Sequence, residues 1–94
     1  MTSSIVSDKE ECFACKTRLH LNVHHIFYGT ANRKLSDEDG CWIWLCPRHH
    51  NMSDDGIHFD REFDLSVKRL CQERWEAAYG DREAFRKRYG KSYL

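Results

Sequence analysis

The feature that most constrains this chain is a pair of short corners rich in metal-binding side chains. Two residues separate Cys12 from Cys15, and the same spacing separates Cys46 from His49. Two ligands at this spacing can hold one tetrahedral ion from a single tight turn, and two such turns complete the ligand set of a structural zinc site. The sequence therefore predicts that the two corners share one structural Zn²⁺.

The size and composition of the chain agree with a small metal-stapled domain. With 94 residues it forms one domain, and domains of this size often need a staple. Its five cysteines are an odd number and no basic-then-apolar leader begins the chain, so a cytoplasmic protein is expected rather than a secreted disulfide scaffold. No apolar run approaches the roughly 20 residues of a membrane span. Lys plus Arg and Asp plus Glu balance at 15 each, so any basic surface must come from local segregation.

Two short apolar segments lie between the corners. Residues 21–28 and 41–45 are rich in β-branched and aromatic side chains, which predicts an antiparallel pair of strands. The polar connection 29–40 holds several turn-forming residues, and an exposed loop is expected there. Pro47 is predicted to open a short helix that carries the histidines of the second corner.

Two amphipathic helices are predicted after residue 60. Apolar side chains recur at three- and four-residue steps up to Gly80, which indicates one long helix. These side chains are Phe63, Val67, Leu70, Cys71, Trp75, Ala78 and Tyr79. Asp81 is a favourable N-cap for a second helix with Phe85 and Tyr89 on one face, and Gly90 is expected to end it.

The predicted organisation is a flexible leader and one domain. The leader comprises residues 1–11, which are polar and aperiodic, and the domain comprises residues 12–94. Within the domain we expect a zinc-stapled core over residues 12–60 and a helical part over residues 61–94. The helical part is rich in Lys and Arg, which is typical of a solvated helical surface and is also compatible with nucleic-acid contact.

The order of these motifs is itself informative. A Cys-x-x-Cys corner, a strand, the doublet His24-His25, a second strand and Cys46-x-x-His49-His50 before a helix follow one another. In this respect the chain resembles the HNH endonucleases of the ββα-metal (His-Me finger) group, particularly the small zinc-stapled members common in phages and prophages. The resemblance covers about residues 12–60. It implies an α+β fold with a treble-clef-like ββα-metal core, and an enzyme, an endonuclease or nickase, that hydrolyses phosphodiester bonds in DNA.

The resemblance also assigns a general base. His25 falls where the group keeps the histidine that takes a proton from the attacking water. An imidazole titrates near neutral pH, so its neutral form suits this role. The alternative is a strand histidine that only makes a structural hydrogen bond. A phage-encoded member would act in the cytoplasm of a bacterial host, with phage or host DNA-processing proteins as partners.

A second ion is implied by the remaining histidines. In the group, the residue before the base and a histidine at the start of the helix bind the catalytic divalent ion, and these positions are His24 and His50 here. Mg²⁺, Mn²⁺, Ni²⁺ or Zn²⁺ could occupy such a site. The third ligand stays open between His58 and Asp54, because Asp54 lies one helical turn after His50 and His58 follows a short insertion.

One residue departs from the family pattern. The group's middle asparagine, which orients the base, is matched by Cys41, and a thiol cannot replace an amide. A nearby group such as Asp39 must then orient His25, or activity is reduced or absent. Cys41 and Cys71 are predicted to be buried apolar residues rather than ligands.

The expected substrate is duplex DNA, and basic side chains near the predicted site would hold its backbone. Arg33 and Lys34 lie between the strands and Arg48 lies beside the second corner, and the basic residues from Arg82 onward are further candidates. Contacts to phosphates carry little sequence information and weaken with salt. We therefore expect weak, salt-sensitive and largely sequence-independent binding.

Two further hypotheses compete with the enzyme. The first is a non-catalytic zinc module that docks on DNA or protein, which Cys41 favours, whereas the joint presence of His24, His25 and His50 favours the nuclease. The second is a redox protein that uses Cys12 and Cys15. That hypothesis lacks the strand-then-helix pattern of such proteins, and the zinc site would engage both thiolates.

Overall fold

The computed structural model describes residues 2–52 and 56–94 and has an α+β architecture. The elements are β1 (Asn22–His25), α1 (Thr30–Asp39), β2 (Trp42–Leu45), a π-helical turn (Arg48–Met52), α2 (Arg61–Ala78) and α3 (Arg82–Tyr89). The α+β class is the one that the sequence predicts. The two strands precede the turn that carries the paired histidines, and the two long helices follow it.

The sheet is the predicted antiparallel pair, although its strands are shorter than the apolar segments. Asn22 pairs with Leu45 at one end and His25 pairs with Trp42 at the other. The amide of Ile26 donates to the carbonyl of Cys41 at 2.9 Å, so main-chain pairing continues one residue beyond the strand. This register places His25 at the end of β1, next to the segment that follows.

Within residues 29–40 the chain forms α1 (Thr30–Asp39), and the prediction of an exposed loop there is wrong. The first half of the segment contains Ala, Arg, Lys and Leu, which are good helix formers. Gly40 ends the helix in the left-handed conformation, with φ of 75°. Ser36, which looked like a turn residue, is buried; its hydroxyl donates to the carbonyl of Phe27 at 2.7 Å and accepts from the amide of Phe27 at 3.2 Å.

Both predicted carboxy-terminal helices are confirmed. Asp60 caps α2 by accepting from the amide of Phe63 at 3.1 Å, and Asp81 caps α3 by accepting from the amide of Ala84 at 2.8 Å. Gly90 ends α3 with φ of 93°. No helix in the described part of the chain is both long enough and apolar enough to cross a membrane.

The core lies between the sheet and the faces of α2 and α3, and aromatic rings fill most of it. The ring of Phe27 lies 5.1 Å from that of Phe85 and 4.7 Å from that of Tyr89, centroid to centroid. Such pairs add about 0.5–1.5 kcal/mol each to the effect of burial. Cys41 and Cys71 are fully buried in this core, as predicted.

The first residues of the chain lie across the end of α1 and the start of β2. The amide of Ile5 donates to the carbonyl of Gly40 at 2.9 Å, and the indole of Trp42 donates to the carbonyl of Thr2 at 2.7 Å. A Cβ atom at Gly40 would collide with the backbone oxygen of Ser3, so this approach requires glycine. The flexibility of residues 1–11 stays a prediction.

Candidate metal centres

The two predicted corners meet in one cluster. The ligand atoms of Cys12, Cys15, Cys46 and His49 all lie within 4.8 Å of one another. The sulfur atoms of Cys15 and Cys46 are 3.7 Å apart, and Nδ1 of His49 lies 3.2 Å from Sγ of Cys46 and 3.8 Å from Sγ of Cys12. Two sulfurs bonded at about 2.3 Å to a tetrahedral ion would lie about 3.8 Å apart. This cysteine cluster is therefore a candidate metal site that is compatible with structural zinc.

Main-chain pairing brings the two corners together. The amide of Phe13 donates to the carbonyl of Trp44 at 2.8 Å, which holds the first corner against β2. β2 leads directly into Cys46, and the amide of His49 donates back to the carbonyl of Cys46 at 3.1 Å. Cys12 is fully buried in the resulting cluster. The sheet thus positions ligands that are far apart in sequence.

The electrostatics of the cluster favour a thiolate at Cys12. Burial by itself would raise the pKa of this thiol, but hydrogen bonds from the backbone of Cys46, Cys15 and Ala14 lower it to about 6. Burial raises the pKa of Cys46, and the neighbouring thiols raise it further. Since the thiolate is the form that binds metal, Cys12 is ready to bind an ion at neutral pH.

A second cluster consists of three histidines. One ring nitrogen from each of His24, His50 and His58 lies within 4.8 Å of the other two. Nε2 of His50 and Nε2 of His58 are 3.2 Å apart. Two nitrogens bonded at about 2.05 Å to a tetrahedral ion would lie about 3.3 Å apart. The structure thus brings together three predicted ligands of the second ion, whereas the alternative ligand Asp54 lies outside the described residues.

The π-helical turn connects the two clusters. His49 and His50 are consecutive in it, and each belongs to a different cluster. The chain then returns to the turn, because the amide of Ile57 donates to the carbonyl of His49 at 2.8 Å and that of His58 to the carbonyl of His50 at 3.3 Å. This return places His58 beside His50. Turns of this kind occur frequently at functional sites.

His24 is the buried member of the histidine cluster. It is 3% exposed, and its Nε2 has no hydrogen-bond partner among the described residues. Buried polar atoms nearly always have a partner, so this nitrogen lacks one that a metal ion would supply. Burial lowers the pKa of His24 to about 3, with repulsion from His50 and His58 adding to the effect. Its ring is therefore neutral, the form in which imidazole binds metal.

The histidine cluster opens into a cleft of about 220 Å³, which we call the metal cleft. Its lining includes His24, His25, Tyr28, Arg33, His50 and His58. His25 is the last residue of β1, so it reaches the cleft although it follows His24 directly. The structure therefore places the predicted base and the predicted ligands in one cavity.

A carboxylate lies beside the predicted base. Nε2 of His25 is 3.4 Å from Oδ1 of Asp37 on α1. An ionised carboxylate can only accept a hydrogen bond, so Nε2 donates, and Nδ1 keeps the lone pair that a base needs. The sequence alone does not identify Asp37 as a site residue, because an exposed loop is predicted for its segment. A helical interpretation would have placed Arg33 and Asp37 four residues apart on one face.

The prediction that Asp39 orients His25 is wrong. Its carboxylate accepts hydrogen bonds from the indole of Trp75 at 2.9 Å, from Nε of Arg88 at 2.6 Å and from the hydroxyl of Tyr89 at 2.7 Å. Burial would raise the pKa of Asp39, but these three hydrogen bonds together lower it. Asp37 and Asp39 are two positions apart on α1, so their side chains point to different faces of the helix. Asp39 therefore joins α1 to α2 and α3 instead of facing the metal cleft.

Comparison with protein family models, with curated proteins and with solved structures finds no match to this chain. The resemblance to HNH endonucleases therefore depends on the order of the motifs. Neither the family nor the ββα-metal assignment is tested by these comparisons, and both stay predictions.

The predicted DNA-binding residues differ in their relation to the cleft. Arg33 lines the metal cleft and also a neighbouring cleft of about 350 Å³, which Lys34 and Thr30 line as well and which we call the basic cleft. Arg48 is exposed on the π-helical turn and lines neither cleft. Of these three predicted residues, Arg33 is thus the one that lines the metal cleft.

Proposed function

We propose that this chain is a metal-dependent endonuclease or nickase that hydrolyses phosphodiester bonds in DNA. The observation that carries the proposal is the unpartnered, buried Nε2 of His24. It belongs to a three-histidine cluster at the wall of a cleft, and a candidate base and a guanidinium line the same cleft. A histidine cluster with only a structural role would not need this combination.

The histidine cluster suits a divalent ion. Imidazole ligands favour transition metals such as Ni²⁺ or Zn²⁺ over Mg²⁺. An ion held by His24, His50 and His58 would offset the negative charge that develops on the phosphodiester oxygens during hydrolysis. Nε2 of His50 and Nε2 of His58 are 3.2 Å apart, which is close to the separation of two nitrogen ligands on one tetrahedral ion.

His25 would act as the general base. Its Nδ1 accepts a proton from water while the water oxygen bonds to phosphorus, and the bond from phosphorus to the leaving oxygen breaks. Asp37 holds the ring by accepting from Nε2, and it stabilises the imidazolium that forms. The guanidinium of Arg33 lines the same cleft and can hold a phosphate oxygen.

The cysteine cluster would hold a structural Zn²⁺ that fixes the first corner to the π-helical turn. A reducing cytoplasm would keep these thiols available. Lys34 and Arg48 would contact phosphates away from the cut, with the salt-sensitive and sequence-independent character of such contacts. DNA is therefore the proposed partner.

A second candidate is a non-catalytic zinc module that docks on DNA or protein. The observation in its favour is Cys41, which is buried with its thiol 3.5 Å from the hydroxyl of Tyr89. It supplies no amide to the base, and the carboxylate beside His25, that of Asp37, is partly exposed. A weakly held imidazole would make a poor base.

Incubation of supercoiled plasmid with Mn²⁺, Ni²⁺ or Mg²⁺ separates the two candidates. His25→Ala should lose about 10²–10⁴-fold in cleavage rate, the usual contribution of a general base, while zinc content and melting temperature stay native. His20→Ala is the matched control, because it removes an exposed imidazole that does not line the metal cleft. Equal conversion by native chain and His25→Ala, or none with any metal, supports the docking module.

A further inference from the structure

Three clefts on this chain share walls. The metal cleft shares His25 and Arg33 with the basic cleft on one side. On the other side it shares Tyr28 and His58 with a third cleft of about 250 Å³, which Phe59 and Arg61 also line and which we call the aromatic cleft. The three clefts are therefore adjacent, with the cleft of the histidine cluster in the middle, and we call this row of clefts the groove.

The two ends of the groove differ in chemistry. The basic cleft offers the guanidinium of Arg33 and the ammonium of Lys34, which suit a phosphate. The aromatic cleft offers the rings of Phe59, which is 64% exposed, and Tyr28, which is 46% exposed. Two exposed aromatic rings that line one cleft provide a surface on which a nucleobase can stack.

The acidic residue in the aromatic cleft does not repel a nucleic acid strongly. Asp64 lines this cleft, but its carboxylate is paired with the ammonium of Lys68 at 2.9 Å, and both side chains are largely buried. The Lys68 ammonium also lies 4.2 Å from the centre of the Tyr28 ring. Arg61 adds a positive charge at the rim. Asp37 also lines the basic cleft, where its carboxylate lies 3.4 Å from Nε2 of His25 and shares the cleft with Arg33 and Lys34. A basic side chain thus accompanies each of the two carboxylates that line the groove.

We propose that the groove binds one nucleic-acid strand whose base on one side of the cut stacks on Phe59, while the phosphate on the other side lies against Arg33 and Lys34. The inference deepens the proposed function by naming its substrate class, and it rests on that function. A base inside a duplex presents no face to Phe59, because its neighbours in the stack cover both faces. The preferred substrate is therefore single-stranded DNA, or DNA that is unpaired at the cut.

Binding of a fluorescent oligonucleotide tests the groove independently of catalysis. A single-stranded oligonucleotide that contains 2-aminopurine is titrated with native chain, Phe59→Ala and Phe59→Trp, without added divalent ion. Stacking should quench the fluorescence with native chain and Phe59→Trp, and Phe59→Ala should bind about tenfold more weakly without quenching. Leu19→Ala, which removes a side chain that is 69% exposed and lines none of the three clefts, should behave as native.

Cleavage of matched substrates then tests the preference. Native chain should cleave the single strand at least about tenfold faster than the same sequence in a duplex, and Phe59→Ala should lose most of this preference because its cleavage of the single strand slows. Quenching that persists in Phe59→Ala, or a native preference for duplex, overturns the groove proposal. Quenching by native chain with no cleavage of either substrate contradicts the nuclease and leaves the strand-binding groove standing.

Discussion

The two candidate metal centres use consecutive residues of one turn, yet they differ in ligand type and in what surrounds them. The cysteine cluster buries Cys12 and Cys46, with Cys15 exposed, and joins the first corner to the end of β2. The histidine cluster has one buried member, His24, and its exposed member His58 faces a cleft. The first arrangement suits an ion that holds the chain together, and the second suits an ion that meets a substrate.

The difference shows how position on the fold decides the use of similar ligands. His49 contacts the buried thiol of Cys46, whereas His50 faces the imidazoles of His24 and His58 at the wall of the metal cleft. A structural centre needs a closed set of ligands, and a catalytic centre needs an open position. Adjacent side chains on the π-helical turn point in different directions, so this one turn can contribute a ligand to each centre.

Removing a ligand from the cysteine cluster should have the largest effect. Structural zinc binds with about 10–16 kcal/mol of apparent free energy, which equals or exceeds the roughly 5–15 kcal/mol by which most domains are stable. We therefore expect Cys46→Ser to lose its zinc and unfold, as measured by elemental analysis and circular dichroism. His58→Ala is the control that should keep both. A native melting temperature for Cys46→Ser would mean that the cysteine cluster does not hold the fold together, and the contrast between a structural and a catalytic centre would be lost.

Removing a ligand from the histidine cluster should affect activity and leave folding intact. We expect His58→Ala to lose the second, exchangeable ion and to cleave plasmid at least about a hundredfold more slowly, since even outer partners of metal ligands contribute about 10–100-fold. One zinc per chain should remain. Elemental analysis before and after dialysis measures both ions, with His20→Ala as the matched control. Retention of two ions by His58→Ala would show that the cluster is not a metal site.

The buried histidine should make stability depend on pH. Because burial lowers the pKa of His24 to about 3, the unfolded chain binds more protons than the folded chain between about pH 3 and pH 6.5. The stability due to neutral His24 is fully present above about pH 6.5 and is lost as the pH falls towards 3. Between pH 7 and pH 5 the free energy of unfolding should drop by about 2 kcal/mol.

Urea unfolding of the zinc-loaded chain at several pH values between 5 and 7 measures this slope. His24→Leu should flatten it, because leucine has a similar volume and no titrating group. His20→Gln, which removes an exposed imidazole, should keep the native slope. An unchanged slope in His24→Leu would mean that His24 is not the source of the pH dependence.

The smallest expected effect concerns the positioning of the base. Asp37→Asn should lower kcat about tenfold with little change in KM, a small part of the roughly 10²–10⁴-fold due to a general base. Asp37→Glu should keep most of the activity, because it restores a carboxylate beside His25. Glu38→Gln is the control on the same helix, where its carboxylate pairs with Arg88 instead. Equal kcat for Asp37→Asn and native chain would leave His25 without a positioning partner.

The sequence predicts the cysteine cluster well because its information is local. Two ligands separated by two residues need only a tight turn, and the strands that join the corners are evident from their apolar side chains. Asp60 and Asp81 likewise mark helix starts through bonds that span three residues. Features of this kind depend on a few neighbouring residues, so no knowledge of the whole fold is required.

The rest depends on contacts that local patterns do not contain. Helix α1 is stabilised by the hydrogen bond from Ser36 to Phe27 and by the bond that Asp39 accepts from Arg88 on α3. These contacts involve polar side chains of a kind that is also typical of loops, so the sequence alone does not indicate the helix. Without that helix, Asp37 could not be placed beside His25. The choice of His58 depends on a return of the chain to the π-helical turn, which backbone hydrogen bonds fix and side-chain periodicity does not indicate.

The adjacency of His49 and His50 on one turn also has a consequence for when the proposed enzyme could become active. Under the proposed function, a newly synthesised chain without its first ion would lack the geometry that brings His50 to His24, so it could not cut its host's genome. Scarcity of zinc would then silence the enzyme before any inhibitor was needed. Loading of the enclosed centre would serve as the licensing step for the exposed one.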